Sequence, residues 1–187
     1  MKTKILIYTF SAVILCGIIF TGINLYRNVF TSPAKTDDSN DTEFGSFSVI
    51  SLSGEKITSE ILKGHKVNLI NIWATYCGPC IKEMPDLDKI DKLYGDKVQV
   101  IGFCIDIPDS NGNNDPELLE QAVRIANEVT QVSYPMLIPS SGLLKGVLAD
   151  IYAVPTSYIT DENGKILEYF MGRKNEDELK QLLEKYL

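Results

Sequence analysis

Apolar positions along the chain fall into three regimes. Between Ile5 and Ile23 they dominate, and 19 residues pass without a charge. Between Thr31 and Glu43 no large apolar residue occurs. From Phe44 onward they recur in short runs that switch between alternation and helical spacing, as strands and helices in succession require.

The runs in that third regime predict an order of elements. Phe47 to Leu52 reads as a short strand ended by Ser53-Gly54, and Ile57 to Leu62 as a helical turn introduced by Thr58 or Ser59. Val67 to Trp73 is rich in β-branched and aromatic residues and reads as a central strand. A helix follows, with Pro79 in its first turn, where the missing N–H costs nothing. It runs through Met84, Leu87, Ile90, Asp91 and Leu93, and Pro85 should kink it. Val98 to Ile105 is the next strand. Asp115 to Val129 is a helix whose apolar side carries Leu118, Leu119, Ala122, Ile125, Ala126 and Val129. Met136 to Ile138 is a short strand and Leu143 to Tyr152 a helix. Thr156 to Thr160 and Lys165 to Met171 form a hairpin across Asp161-Glu-Asn-Gly164. Asn175 caps a last helix, with Glu178 three residues on as in a capping box. Strand–helix alternation closed by a hairpin and a helix implies an α/β fold, a three-layer sandwich with a mixed central sheet. In such folds the first strand-to-helix turn stands at the carboxyl end of a central strand, where chemistry tends to sit.

The first regime reads as an address. About 20 apolar residues span a bilayer as a helix. Lys2 and Lys4 before the segment outnumber Arg27 after it, which keeps the N-terminus in the cytoplasm and puts the rest outside. A cleaved signal would want small residues in an A-x-A-like pattern, and no clean one occurs. Lipidation at Cys16 would want a small residue where Leu15 stands. An uncleaved transmembrane signal anchor over residues 5–25 fits best, after a basic start at 1–4. On that reading Cys16 is an inert membrane residue. The polar stretch that follows cannot bury enough to order itself, so residues 26–43 read as a flexible linker to a domain at 44–187.

Charge excludes one class of partner. The chain carries a net −7, and residues 31–187 carry −10, so a nucleic-acid ligand is not expected. The four cysteines, Cys16, Cys77, Cys80 and Cys104, are too few and too unevenly spaced for a small disulfide scaffold. A chain of 187 residues can bury a core without staples. The close pair in Cys77-Gly-Pro-Cys80 therefore needs its own explanation.

That pair lies where a strand ends and a helix begins. Free N–H groups and a partial positive charge at the helix start stabilise a thiolate, so Cys77 is expected to be the nucleophile. Cys80, one turn further in, is expected to resolve the mixed disulfide. Gly78 permits the close approach and Pro79 stiffens it. Two plainer readings compete. A half zinc site would need two more ligands; outside the anchor only Cys104 and His65 remain, and neither completes a second knuckle. A purely structural bridge would close so small a loop that it gains little chain entropy. No metal or cofactor is expected. Cys104 reads as a buried small hydrophobe, with a redox role as the alternative, and His65 as a surface loop residue.

From Phe44 to Leu187 the chain resembles the thioredoxin superfamily, and within it the membrane-tethered TlpA/ResA-like thiol–disulfide oxidoreductases. The residues that carry the resemblance are Phe47–Leu62, Gly64-His-Lys66, Trp73-Ala-Thr75, the cysteine motif, Glu83 with Pro85, Val154-Pro155-Thr156 and Asp161-Glu-Asn-Gly164. The resemblance implies a thioredoxin-like fold and a redox disulfide between Cys77 and Cys80. It implies a cis peptide at Val154–Pro155, with the Val154 backbone pairing to an incoming substrate strand. It implies that Glu83 manages the proton of the exchange, because Asn71, six residues before Cys77, cannot titrate. Trp73, Tyr76, Gly78, Pro79, Val154 and Pro155 are the expected substrate-binding residues. The segment Pro108 to Val132 falls near an insertion of that branch, which either shapes substrate choice or simply connects.

The implied activity is reduction of disulfides in exported proteins by a monomer on the outer side of a bacterial cell membrane, recharged by a membrane thiol donor of the CcdA/DsbD type. Cytochrome c-type biogenesis is the role most associated with the branch; sporulation proteins and methionine sulfoxide reductases are equally open as clients. A disulfide-forming oxidant is the main alternative. A thiol peroxidase would want a lone cysteine beside an arginine, and the chain has only Arg27, Arg124 and Arg173. A copper-delivery module of the Sco type would want CxxxC and a distant histidine, whereas the one histidine here precedes a CxxC.

Overall fold

The computed structural model describes residues 43–109 and 111–187. The anchor expected over residues 5–25, Cys16 and the linker as far as residue 42 lie outside them. Among the described residues no helix is long and apolar enough to cross a membrane.

The elements run β1 (Ser48–Ser51), β2 (Lys56–Thr58), a 3-10 turn (Ser59–Leu62), β3 (Val67–Trp73), α1 (Gly78–Tyr94), β4 (Val98–Cys104), α2 (Pro116–Arg124), β5 (Met136–Ile138), α3 (Ser141–Lys145), β6 (Thr156–Thr160), β7 (Ile166–Met171) and α4 (Glu176–Leu183). They form one sheet in the order β2-β1-β5-β4-β3-β6-β7. The central strands β3, β4 and β5 are parallel, while β1, β6 and β7 join antiparallel, so the sheet is mixed as expected. Alternation along β3 divides the core. Leu69 and Trp73 face a cluster with Met84, Leu87 and Ile90 of α1 and Leu179 and Leu183 of α4. Ile70 and Ile72 face a second cluster with Phe44, Phe47, Leu62, Leu143 and Leu148. Three layers result, and β3 is buried along its whole length.

Departures from the sequence reading have local causes. Ile57 and Thr58 belong to β2, because they pair with Val49 and Ser48 of β1; the helical turn starts only at Ser59. Leu93, placed in series with Met84, Leu87 and Ile90, is exposed, since the buried stripe of α1 passes from Ile90 to Tyr94 and Leu93 is one helical step off it. Pro85 removes one donor inside α1, yet the helix continues to Tyr94. Asp115 is the cap of α2 and not its first residue, accepting from the N–H groups of Glu117 and Leu118. Beyond Arg124 the helix widens into a π turn over Ile125–Val129, closed by Thr130 N–H to the Ile125 carbonyl. The extra residue in that turn carries Val129 out to solvent, off the expected apolar side. The helix expected over Leu143–Tyr152 is the five-residue α3, which stops at Gly146; turns follow, with Leu148 still buried. The final helix keeps its capping box, Asn175 with Glu178.

Candidate active site

The carboxyl end of β3 delivers the motif. After Trp73 the chain leaves the sheet through Ala74-Thr75-Tyr76, and a carboxylate just past the end of β4 fixes that exit. Thr75 donates its N–H to both oxygens of Asp106, at 3.1 and 3.0 Å, and its hydroxyl to Oδ2 at 2.6 Å. Cys77 then donates its N–H to the Ala74 carbonyl at 3.0 Å and becomes the N-cap of α1. Its Sγ accepts the Cys80 N–H at 3.2 Å, one of the amides that a helix start leaves free. Pro79 occupies the first turn, where no N–H is needed.

Cys77 and Cys80 are joined by a disulfide, with Cα atoms 5.3 Å apart. Cys77 retains 5% exposure and Cys80 none. Gly78 and Pro79 between them are exposed, and Tyr76 is 75% exposed beside them. The turn before β6 completes the rim. The Val154 carbonyl oxygen lies 3.5 Å from Cys77 Sγ, and the Val154–Pro155 peptide is cis. Gly172, just past β7, donates its N–H to the Pro155 carbonyl at 2.8 Å. Val154 thus meets the segment Tyr76–Pro79 at Cys77, and Pro155 beside it is buried. Trp73 does not join them. It is fully buried on the α1 face of β3, so the expected contact with a substrate gives way to packing beneath the motif.

Glu83 stands three residues after Cys80 on the same face of α1 and is fully buried. Lys174 N–H donates to its Oε1 at 2.8 Å, and Asn71 Nδ2 to its Oε2 at 3.3 Å. Burial strips the carboxylate of water and raises its pKa from the ordinary 4.5 to about 7. The Lys174 amide, the Asn71 carboxamide and the charges of Arg173 and Lys174 pull the other way and lose. Cys104 is a buried free thiol that donates to Asp106 Oδ1 at 3.1 Å. Burial, with Asp106 beside it, pushes this thiol up, so it stays protonated and unreactive. His65 is half-buried in the loop before β3. Among the described residues no three His, Cys, Asp or Glu side chains are grouped to hold a metal ion.

Three residues in this region carry no signal in the sequence: Asp106, which fixes the exit loop; Lys174, whose backbone touches Glu83; and Ser157, which binds Asn71.

The family profile named Redoxin matches residues 39–184. The chain belongs to the Redoxin family. Thioredoxin-like protein YneN of Bacillus subtilis is 34% identical over 167 residues, covering 88% of this chain and 89% of that one. Thiol-disulfide oxidoreductase ResA of Bacillus thuringiensis is 28% identical over 187 residues, covering 98% and 97%. Among solved structures, a thioredoxin-family thiol:disulfide interchange protein from Chlorobium tepidum superposes with a TM-score of 0.62 at 22% identity, over 80% of this chain and 99% of that one. The last likeness speaks to fold alone, and it agrees with the mixed-sheet thioredoxin-like architecture. This Redoxin member is a ResA-like protein of the thioredoxin superfamily and a thiol–disulfide oxidoreductase.

Proposed function

We propose that this oxidoreductase reduces disulfides of exported proteins on the outer side of a bacterial membrane. An uncleaved anchor over residues 5–25 and a linker over residues 26–43 hold the domain there. The observation that carries the reading is the combination of a helix-capping Cys77 that keeps a trace of exposure with a buried carboxyl, Glu83, that gains and loses its proton near neutral pH.

In the reduced enzyme the Cys77 thiolate attacks a client disulfide. A mixed disulfide forms, and the first client thiolate leaves and takes up a proton. Cys80 then passes its proton to the ionised Glu83, attacks Cys77 Sγ and displaces the second client thiolate, which takes that proton from Glu83. The Cys77–Cys80 bridge closes, and the client has gained two electrons and two protons. A membrane thiol donor of the CcdA/DsbD type returns the electrons. The client lies extended along the Val154 backbone, with Tyr76, Gly78, Pro79 and Pro155 around its cysteine. Cysteines at haem-attachment sites are the client class this reading favours.

A Cys80→Ser variant tests it. Mixed disulfides with exported proteins should accumulate on Cys77, identifiable by mass spectrometry, and Cys77→Ser should trap none. Equal trapping by both variants, or only cytoplasmic partners, would sink the reading. Direction is decided by equilibration against redox buffers: a potential near thioredoxin's, roughly −270 mV, supports a reductant, and one near roughly −120 mV an oxidant.

A further inference from the structure

Asn71 is fully buried on β3 and turned toward α1 between Leu69 and Trp73. Its Nδ2 reaches Ser157 Oγ at 3.0 Å and Glu83 Oε2 at 3.3 Å. Its Oδ1 has no hydrogen-bond partner. Asn71 and Ser157 are directly opposed in the antiparallel β3–β6 ladder, so both side chains leave the sheet on the same face. A buried acceptor without a donor is costly and calls for an explanation.

The chemistry of a carboxamide provides one. It presents a donor on one side and an acceptor on the other, and half a turn about its last bond exchanges them. An ionised Glu83 needs a donor, which Nδ2 supplies. A protonated Glu83 carries an O–H that needs an acceptor, which Oδ1 supplies after the half turn, at the same reach. The Ser157 hydroxyl follows either arrangement, accepting from Nδ2 or donating to Oδ1. Neither a hydrocarbon nor a carboxylate at position 71 matches both states.

We propose that Asn71, backed by Ser157, is a positioning residue for the Glu83 proton: its carboxamide turns over each time Glu83 gains or loses that proton. The value of this for exchange rests on the reading that Glu83 serves the Cys80 step. The other groups facing Glu83 are Cys80 and, beyond it, Cys77 on its own helix, Arg173 and Lys174 after β7, and Tyr134 before β5. Asp86, one turn further along α1, is paired with Arg173. None of these changes in the variants below.

The test is side-chain NMR on the oxidised full chain in mild detergent, following the Asn71 amide and the Glu83 carboxyl carbon with pH. The Asn71 amide signals should titrate with the same midpoint as Glu83, and that titration should vanish in Glu83→Gln. Asn71→Leu removes a bond to the carboxylate and a weaker, neutral one to the protonated carboxyl, so the difference should raise the Glu83 midpoint by about one pH unit, a tenfold gain in proton affinity. Asn71→Asp keeps the size and should split the titration into two steps, as coupled carboxyls do. An Asn71 amide insensitive to pH, or a Glu83 midpoint unmoved by Asn71→Leu or unsplit in Asn71→Asp, would overturn the proposal. The disulfide-reduction rate of Glu83→Gln separates the two ideas. An unchanged rate removes Glu83 from the exchange, whereas the amide titration reports on Asn71 either way.

Discussion

Replacing Glu83 by glutamine keeps the shape of the side chain and the acceptor for the Lys174 N–H, and it removes the only proton the group can lose. The carboxyl's pKa rises on folding from 4.5 to about 7. At roughly 1.4 kcal/mol per pH unit that is worth about 3 kcal/mol. The sign follows from linkage. A raised pKa means that the folded protein holds this proton more tightly than the unfolded chain does. The resulting stability is complete below pH 4.5 and is lost as pH rises through about 7. Glutamine cannot titrate, so the variant lacks this slope. Urea unfolding of both oxidised proteins, followed by circular dichroism at pH 4, 6 and 8, isolates the effect, because every other titrating group is common to the pair. Between pH 4 and 8 the variant should gain about 3 kcal/mol on the wild type. A relative gain below about 1 kcal/mol would mean that Glu83 is hydrated in solution and that burial does not set its proton affinity.

Two further substitutions probe the frame around the site. At Gly102 an added Cβ would stand 2.4 Å from Met136 Sδ and 3.4 Å from Trp73 Nε1, so Gly102→Ala should cost about 1–3 kcal/mol in denaturant unfolding. An unchanged midpoint would mean that Met136 swings clear at no cost. Asp88 accepts from Ser133 N–H at 2.7 Å and from its hydroxyl at 2.8 Å, and pairs with Lys92. Burial opposes its ionisation, but these donors outweigh it and hold the carboxyl below its usual range. Asp88→Ala should therefore lose about 1–3 kcal/mol at neutral pH and approach the wild type as pH falls through that depressed value. A deficit that stays constant with pH in thermal melts would count against the ion's role.

What was legible beforehand was local. β3 announces itself as an uncharged β-branched run, the β6–β7 hairpin by Asp161-Glu-Asn-Gly164, and α4 by the pair Asn175 and Glu178. The cysteine motif follows from its place between strand and helix. What escaped was set by partners distant in sequence. β2 is three residues long and exists through its pairing with β1. The apolar run after Ser141 has helical spacing, yet Gly146 ends the helix and the rest packs as turns. The π turn over Ile125–Val129, at the end of the helix expected from Asp115, adds one residue where a straight pattern allows none. In the site, Asn71 meets Ser157 86 positions away and Thr75 meets Asp106 31 positions away. No local pattern records those pairs, because the sheet's register alone creates them.

The burial of Trp73 has an optical consequence. It is the one tryptophan of the 187 residues, and it shares an apolar cluster with Cys77 and Cys80. Disulfide sulfur quenches indole emission at short range, and the dithiol quenches it less. The chain thus carries an unlabelled reporter within the cluster that holds its own redox bond. Emission should brighten when Cys77–Cys80 is reduced, and the rate of its return should time each round of exchange without a dye or a coupled enzyme.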